Sequence, residues 1–269
     1  MPEGHVIHRL ATAHRERFAG RPVRVDSPQG KFADAAALLD GQPLEAAEAW
    51  GKHLFLGFAP VGWVHIHLGL YGKVAFGEPP VPRPVGQIRL RLANDDHWSE
   101  LRGPNTCALR TDEERAAVAA RLGPDPLRAD ADPERAWRRV STSRSAIGTL
   151  LMDQAVVAGV GNIYRAEVLF RHGVDPHRPG REVDRATWTA CWEDLVTLMR
   201  EGVRLGRIDT VRPEHTPEAT GRPPRVDDHG GEVYVYRRAG QPCLVCEGPV
   251  ATAKVAARNL FWCPRCQPR

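Results

Sequence analysis

The sequence predicts an α+β chain in two parts: an antiparallel β-sandwich led by a helix, then a helix-rich half that ends in a cysteine-clamped hairpin. Apolar residues recur at period two up to about residue 110 and at helical period beyond residue 133. A Pro- and Asp-rich segment, Gly123 to Pro133, separates the two patterns. Cys243-x2-Cys246 and Cys263-x2-Cys266 stand sixteen residues apart, the spacing of a four-thiolate zinc site.

The elements follow in order. Val6, Ile7, Leu10 and Ala13 fall on one face of an opening helix that Gly20 ends. In Trp63 to Leu68 the apolar Val64, Ile66 and Leu68 alternate with Trp63, His65 and His67. Ile88, Leu90 and Leu92 alternate with Arg89 and Arg91 in the same way. Thr111 followed by Glu114 reads as a capping box opening a helix that stops at Gly123-Pro124. Asp132-Pro133 and Asp184 are helix starts, the second leading a helix through Trp188, Trp192, Leu195 and Met199. Residues 206–232 are rich in Pro, Gly and charge and predict a mobile or poorly ordered loop. The domain reading is therefore 1–122 for the sandwich, 123–133 for a linker, 134–232 for the helical domain and 233–269 for the zinc finger.

Composition narrows the function classes. A net charge of +4 is a mild excess that suits nucleic acid or an ordinary basic enzyme. No apolar run reaches membrane-spanning length and the N-terminus lacks signal-peptide blocks, so a cytoplasmic protein without membrane contact is expected. The absence of a secretory signal also disfavours a disulfide framework for the cysteines. Cys107 and Cys191 have no motif spacing and read as ordinary buried or half-buried thiols. Of 37 basic residues only Lys31, Lys52, Lys73 and Lys254 are lysines, so these and the N-terminus are the candidate reactive amines.

Four constellations carry chemistry. Pro2 and Glu3 suit the first turn of any helix. They also suit catalysis: removal of Met1 would expose a secondary amine titrating far below lysine, able to attack an electrophilic sugar carbon and form an iminium. Asp153 to Arg165 holds a turn punctuated by Gly159 and Gly161, then a helix from about Asn162 with Ile163, Ala166 and Phe170 on its buried face. That turn is either a phosphate cradle at a helix start or an ordinary tight connection. His65 and His67 share a strand face, as metal ligands or as a polar sheet face. Lys254, Arg258 and Asn259 sit on a finger too short for its own core, a probe for phosphate or a groove.

Together these motifs carry a resemblance. Met1 to Gly4, Gly51 to Leu54, His67 to Gly72, Ala158 to Arg165 and the terminal finger with Arg258 resemble the formamidopyrimidine-DNA glycosylase and endonuclease VIII family, in order and over almost the whole chain. Leu70-Tyr71 and Phe261-Trp262-Cys263 look more like endonuclease VIII, and the opening eleven residues resemble its actinobacterial members closely. The resemblance implies a β-sandwich, a helix-two-turns-helix domain and a zinc finger, with damaged duplex DNA as partner. It implies Pro2 as nucleophile at C1′, Glu3 as the acid on the sugar ring oxygen, and Lys52 in β-elimination and phosphate binding. Arg258 would bind lesion-strand phosphates and assist δ-elimination, Asn162 and Arg121 would contact DNA, and Leu70 with Tyr71 would fill the gap left by a flipped base.

Gly69 stands where endonuclease VIII relatives often carry Gln, and Glu167 fits either a recurrent family acid or an intrahelical pair. One structural Zn2+ per chain is expected at Cys243, Cys246, Cys263 and Cys266, with all four positions filled by thiolate. Gly159-Val160-Gly161 does not follow a strand, so no nucleotide cofactor is expected, and the chain is read as a monomer acting at the nucleoid of a bacterium. The activity implied is excision of oxidised bases, pyrimidines first, followed by strand cleavage through β,δ-elimination. A noncatalytic binder of damaged DNA on the same scaffold is the alternative, and a zinc-ribbon RNA or protein-interaction module would leave the N-terminal motif unexplained.

Overall fold

The computed structural model describes residues 2–227 and 231–269. The chain forms two compact units, Met1–Arg121 and Leu122–Arg269. In the first, α1 (Gly4–Phe18) precedes β1 (Arg24–Asp26), α2 (Ala33–Leu39), β2 (Ala46–Trp50), β3 (His53–Phe58), β4 (Gly62–His67), β5 (Lys73–Gly77), β6 (Ile88–Ala93), β7 (Trp98–Arg102), β8 (Thr106–Arg110) and α3 (Asp112–Ala120). All pairings are antiparallel, in sheets ordered β1-β6-β7-β5 and β2-β3-β4-β8. Val25, Leu90, Leu92 and Leu101 of one sheet share a core with Leu54, Leu56, Val64 and Ile66 of the other, the sandwich that period two requires.

Two faces differ from the pattern. The buried stripe of α1 is Ile7, Leu10, Ala11, His14 and Phe18, rotated from the Val6–Ala13 face, because His14 satisfies its Nδ1 on the Leu10 carbonyl at 2.8 Å and can pack inside. Arg91, expected on a polar face, is 7% exposed because Glu100 accepts from its Nε at 3.0 Å.

The second unit holds α4 (Pro133–Val140), α5 (Ile147–Leu150), α6 (Asn162–Arg171), α7 (Arg185–Leu205), α8 (Pro217–Thr220), β9 (Ala251–Val255) and β10 (Arg258–Trp262). The helix starts are those the sequence signals: Asp132 accepts from Glu134 N, Asp184 accepts from Thr187 N, and in the first unit Thr111 and Glu114 complete a capping box. Gly206 at φ 73° ends α7.

Three expectations need correction. The segment 123–133 is not a free linker: Gly123 N donates to Gln154 O and Ala158 N to Pro124 O, and Leu127 packs on the helical core. Within 206–232 the described residues are ordered by α8 and by bonds such as Thr210 N to Glu232 O at 2.9 Å; residues 228–230 lie outside the description. Residues 162–170 of α6 are buried all round rather than on one face. Such a helix is enclosed by its neighbours, and here α7, β10 and the 234–236 segment supply the enclosure.

Candidate nucleic-acid interface and metal centre

In the first unit the N-terminal motif and Lys52 are brought to one end of a hairpin. Ala19 bridges to Leu44 and Arg15 Nη1 donates to Ala47 O at 3.3 Å, so α1 runs back along β2. Its first turn thus lies at the end of the β2–β3 hairpin closed by Gly51 and Lys52. Glu3 stands immediately before the first turn of α1 and is fully buried, while Pro2 is half-buried. Gly51 takes φ 57°, the first position of a two-residue turn that glycine alone adopts without strain, and this fixes the half-buried Lys52 beside it.

Beside Lys52 stands a cluster of imidazoles that sequence reading recognised only in part. His53 pairs across strands with His67, and its Nδ1 lies 2.9 Å from His65 Nε2. His65 stacks on Phe55 with ring centroids 4.6 Å apart. Burial, then the neighbouring imidazoles, holds His53 down at about 3, and burial followed by the Arg110 charge holds His65 at about 4. The rings are therefore neutral at ordinary pH. The charges of Arg121 and Lys52 add to this lowering at His53. The cluster's signal was the pairing register of His53 with His67, which needs the hairpin turn to be placed first.

Leu70 and Tyr71 are 51% and 83% exposed, on a turn that Gly72 N closes onto Leu68 O at 3.0 Å. Gly69 sits at φ 67°, where a Cβ would meet Asn105 Cβ at 2.9 Å, so the turn requires glycine where a Gln would be strained. An added Cβ at Gly72 would lie 2.4 Å from Leu68 O. The loop therefore holds two apolar side chains in water, the display a base-stack wedge needs.

In the second unit the four cysteines converge, their sulfurs all within 4.8 Å of one another. Cys243 and Cys266 are 3.8 Å apart and Cys246 and Cys263 3.4 Å, near the edge of about 3.8 Å that four thiolates give around a tetrahedral ion. Burial, then neighbouring sulfurs, pushes the Cys266 thiol well up, a cost that a divalent cation removes by holding thiolates. Gln267 accepts from Cys263 N at 2.8 Å and donates to Val174 O at 2.8 Å, tying the metal knuckle to the helical core. Among the described residues no other group of three or more His, Cys, Asp or Glu converges in this way. Burial pushes Cys107 and Cys191 up to about 12, as inert thiols.

The Gly-punctuated turn differs from an open phosphate cradle. Gly159 N donates to Gln154 Oε1 at 3.0 Å, and Gln154 Nε2 donates to Val160 O at 2.9 Å, so the turn is closed on itself. Asn162 is 6% exposed and its Nδ2 donates to Asn259 O at 2.9 Å. Arg258 is exposed, one residue along the same strand, directly after a two-residue turn in which Ala256 and Ala257 have φ 48° and 60°. Glu167 is no intrahelical partner: it is fully buried and accepts from Tyr234 N, Val235 N, Tyr236 N and Thr210 Oγ1 at 2.6–2.9 Å. One carboxylate thereby fixes the chain segment that leads into the finger. Its partners lie 43 to 69 positions away, so no local signal could have found them.

Comparison with known proteins agrees in every part of the chain. Residues 1–106 match the formamidopyrimidine-DNA glycosylase N-terminal domain, 122–213 the formamidopyrimidine-DNA glycosylase H2TH domain, and 240–269 a zinc finger found in FPG and IleRS. The chain is 53% identical to endonuclease 8 1 of Mycobacterium tuberculosis over 99% of its own length and 100% of that protein. Probable endonuclease 8 2 of Streptomyces coelicolor is 34% identical, covering 99% of this chain and 94% of that one. Formamidopyrimidine-DNA glycosylase of Methylococcus capsulatus is 32% identical, with 99% and 98% covered. Among solved structures, Lactococcus lactis Fpg in complex with DNA containing an abasic site superposes with a TM-score of 0.79 at 20% identity, covering 99% of this chain and 100% of that one, a likeness of fold.

Proposed function

This chain belongs to the formamidopyrimidine-DNA glycosylase and endonuclease VIII family, and on that premise we propose that it is a DNA glycosylase and AP lyase that works through its N-terminal proline. The observation that carries the reading is the first turn of α1, with Pro2 and buried Glu3, at the end of the hairpin that bears Lys52. With Met1 removed, the Pro2 amine attacks C1′ of the damaged nucleotide and the base leaves with the glycosidic electron pair, taking up the proton that the Pro2 nitrogen gives up. Glu3 protonates the ring oxygen as the sugar opens, and the nitrogen lone pair completes an iminium. Loss of the 2′ proton, assisted by Lys52, expels the 3′ phosphate, and a second elimination supported by Arg258 expels the 5′ phosphate.

Binding geometry supports the same reading. Flipping a base costs a few kcal/mol, which phosphate contacts and an apolar wedge offset. Lys52, Arg121, Arg258 and the second N–H of the Asn162 amide are the phosphate donors in this proposal, and Leu70 with Tyr71 is the wedge. We take the ion held by the four cysteines to be zinc, in a structural role, because no coordination position is open to water. Oxidised pyrimidines are the proposed first choice: non-planar, poorly stacked bases are the cheapest to extrude. We place the enzyme in the cytoplasm, as a monomer on the nucleoid.

Borohydride trapping on duplexes carrying thymine glycol, dihydrouracil, 8-oxoguanine or an abasic site tests this. Processed protein should give a covalent complex, and protein with an uncleaved N-terminal tag should give none. Equal trapping by both would remove Pro2 from the mechanism, and binding without trapping would favour the noncatalytic binder. Faster release of 8-oxoguanine opposite cytosine than of thymine glycol would overturn the pyrimidine preference alone.

A further inference from the structure

Arg165 has a side chain built for water and is 1% exposed, among the largest fully buried side chains of the described residues. It reaches three places at once. Nη1 donates to Gly148 O in α5 at 3.2 Å, Nη2 donates to Asn162 Oδ1 at the start of α6, and Nη2 also reaches Asn259 O in the finger at 3.3 Å. Asn162 Nδ2 donates to that same Asn259 carbonyl at 2.9 Å, so both lone pairs of one backbone oxygen are taken from the helical side. The acceptor at the far end is held too: Gly148 N donates to Pro176 O at 2.9 Å, and a Cβ there would meet the same oxygen at 2.9 Å.

The finger needs such a hold. β9 and β10 form a two-stranded sheet, which is marginal alone, and the turn joining them puts two alanines at positive φ. Asn259 follows Arg258 in β10, so fixing its carbonyl fixes the backbone from which Arg258 projects. Burying a guanidinium costs several kcal/mol, which the bonds from Nη1 and Nη2 offset in part, and a fork bridging three segments is what arginine offers and lysine does not.

We propose that Arg165, through Asn162 and the Asn259 carbonyl, is a positioning residue that holds the finger tip so that Arg258 meets the lesion-strand phosphates; this rests on the role of Arg258 proposed above. Arg165 itself touches no substrate in this scheme. It converts a strained hairpin into a preorganised one, and its loss should be felt only through Arg258.

A double-mutant cycle with Arg258→Ala reads this directly. In single turnovers on abasic duplex, Arg165→Gln should lower affinity and the share of δ-elimination product by about tenfold, the scale of a misplaced functional group. It should also flatten the dependence of binding on salt as Arg258→Ala does, with bound metal retained. Added to Arg258→Ala, it should change neither affinity nor δ product further. Additive losses, or wild-type values for Arg165→Gln alone, would overturn the proposal. Should Arg165→Gln fail to fold, Arg165→Lys keeps the buried charge and carries the same cycle with a smaller effect and the same two outcomes. Borohydride trapping by the unmutated protein runs alongside: its failure would count against Pro2, whereas trapping with an additive cycle would count against the latch alone.

Discussion

The molecule presents side chains to solvent at two tips, and they are built differently. The turn bearing Leu70 and Tyr71 is shaped from within: Gly69 takes a left-handed conformation, Gly72 tolerates the Leu68 carbonyl at its back, and one backbone hydrogen bond closes it. The turn bearing Arg258 has alanine at both positions that favour Asn and Gly, and its shape is held from outside by Asn162, Arg165 and the metal knuckle. A wedge that enters a base stack gains from a loop whose rigidity is its own. A finger that must hold a charge at a set place relative to a helical domain gains from being fastened to that domain.

The largest test of this difference removes outside support from the finger. Glu167→Ala leaves the amides of Tyr234, Val235 and Tyr236 without their acceptor, and losing a buried, hydrogen-bonded charge costs about 3–5 kcal/mol. Amide exchange at those residues and along β10 should accelerate together, while the Leu68–Gly72 turn keeps its protection. Equal acceleration in both tips would mean that the finger and the wedge do not differ in their source of rigidity.

The converse experiment breaks the turn that bears the proposed wedge from within. Gly72→Ala forces a Cβ against Leu68 O, Cα and C, all backbone atoms that cannot rotate away, at a cost of about 1–3 kcal/mol. Fluorescence of 2-aminopurine beside the lesion should then report poorer extrusion, with metal content and the salt dependence of binding unchanged. Normal extrusion would detach Leu70 and Tyr71 from the wedge role.

These tests also mark where sequence reading runs out. Capping at Thr111, Asp132 and Asp184 was legible because each partner lies two or three residues away. The cysteine pairs were legible because metal geometry restricts spacing. Glycine at 69 could be noticed but not explained, since its reason is a contact with Asn105. Glu167 and Arg165 were misread or passed over for one cause: most of their partners are backbone groups 17 to 94 residues distant, and a backbone group has no identity in the sequence. The buried ends of α1 and α6 follow the same rule, because local periodicity cannot say what will cover a helix on its other sides.

The smallest expected effect is the sharpest on mechanism. If the finger turn is strained and held from outside, Ala257→Gly should stabilise it, although glycine ordinarily destabilises by adding freedom to the unfolded chain. Left-handed backbone costs an L-residue about 1–2 kcal/mol, and glycine's extra unfolded freedom costs about 0.4–1 kcal/mol, so the net gain should be about 0.5–1 kcal/mol. Slower amide exchange at Arg258 and Asn259, or slower loss of metal to a chelator, would register it. The same change should add nothing to affinity for DNA, because Asn162 and Arg165 already hold the Asn259 carbonyl in place. In the Arg165→Gln background only the Asn162 bond to that carbonyl remains, and Ala257→Gly should recover part of the lost affinity by relaxing the turn toward the conformation the latch imposed. A loss of stability on Ala257→Gly would mean that the turn is unstrained, and the contrast between a self-shaped wedge and an externally held finger would fall.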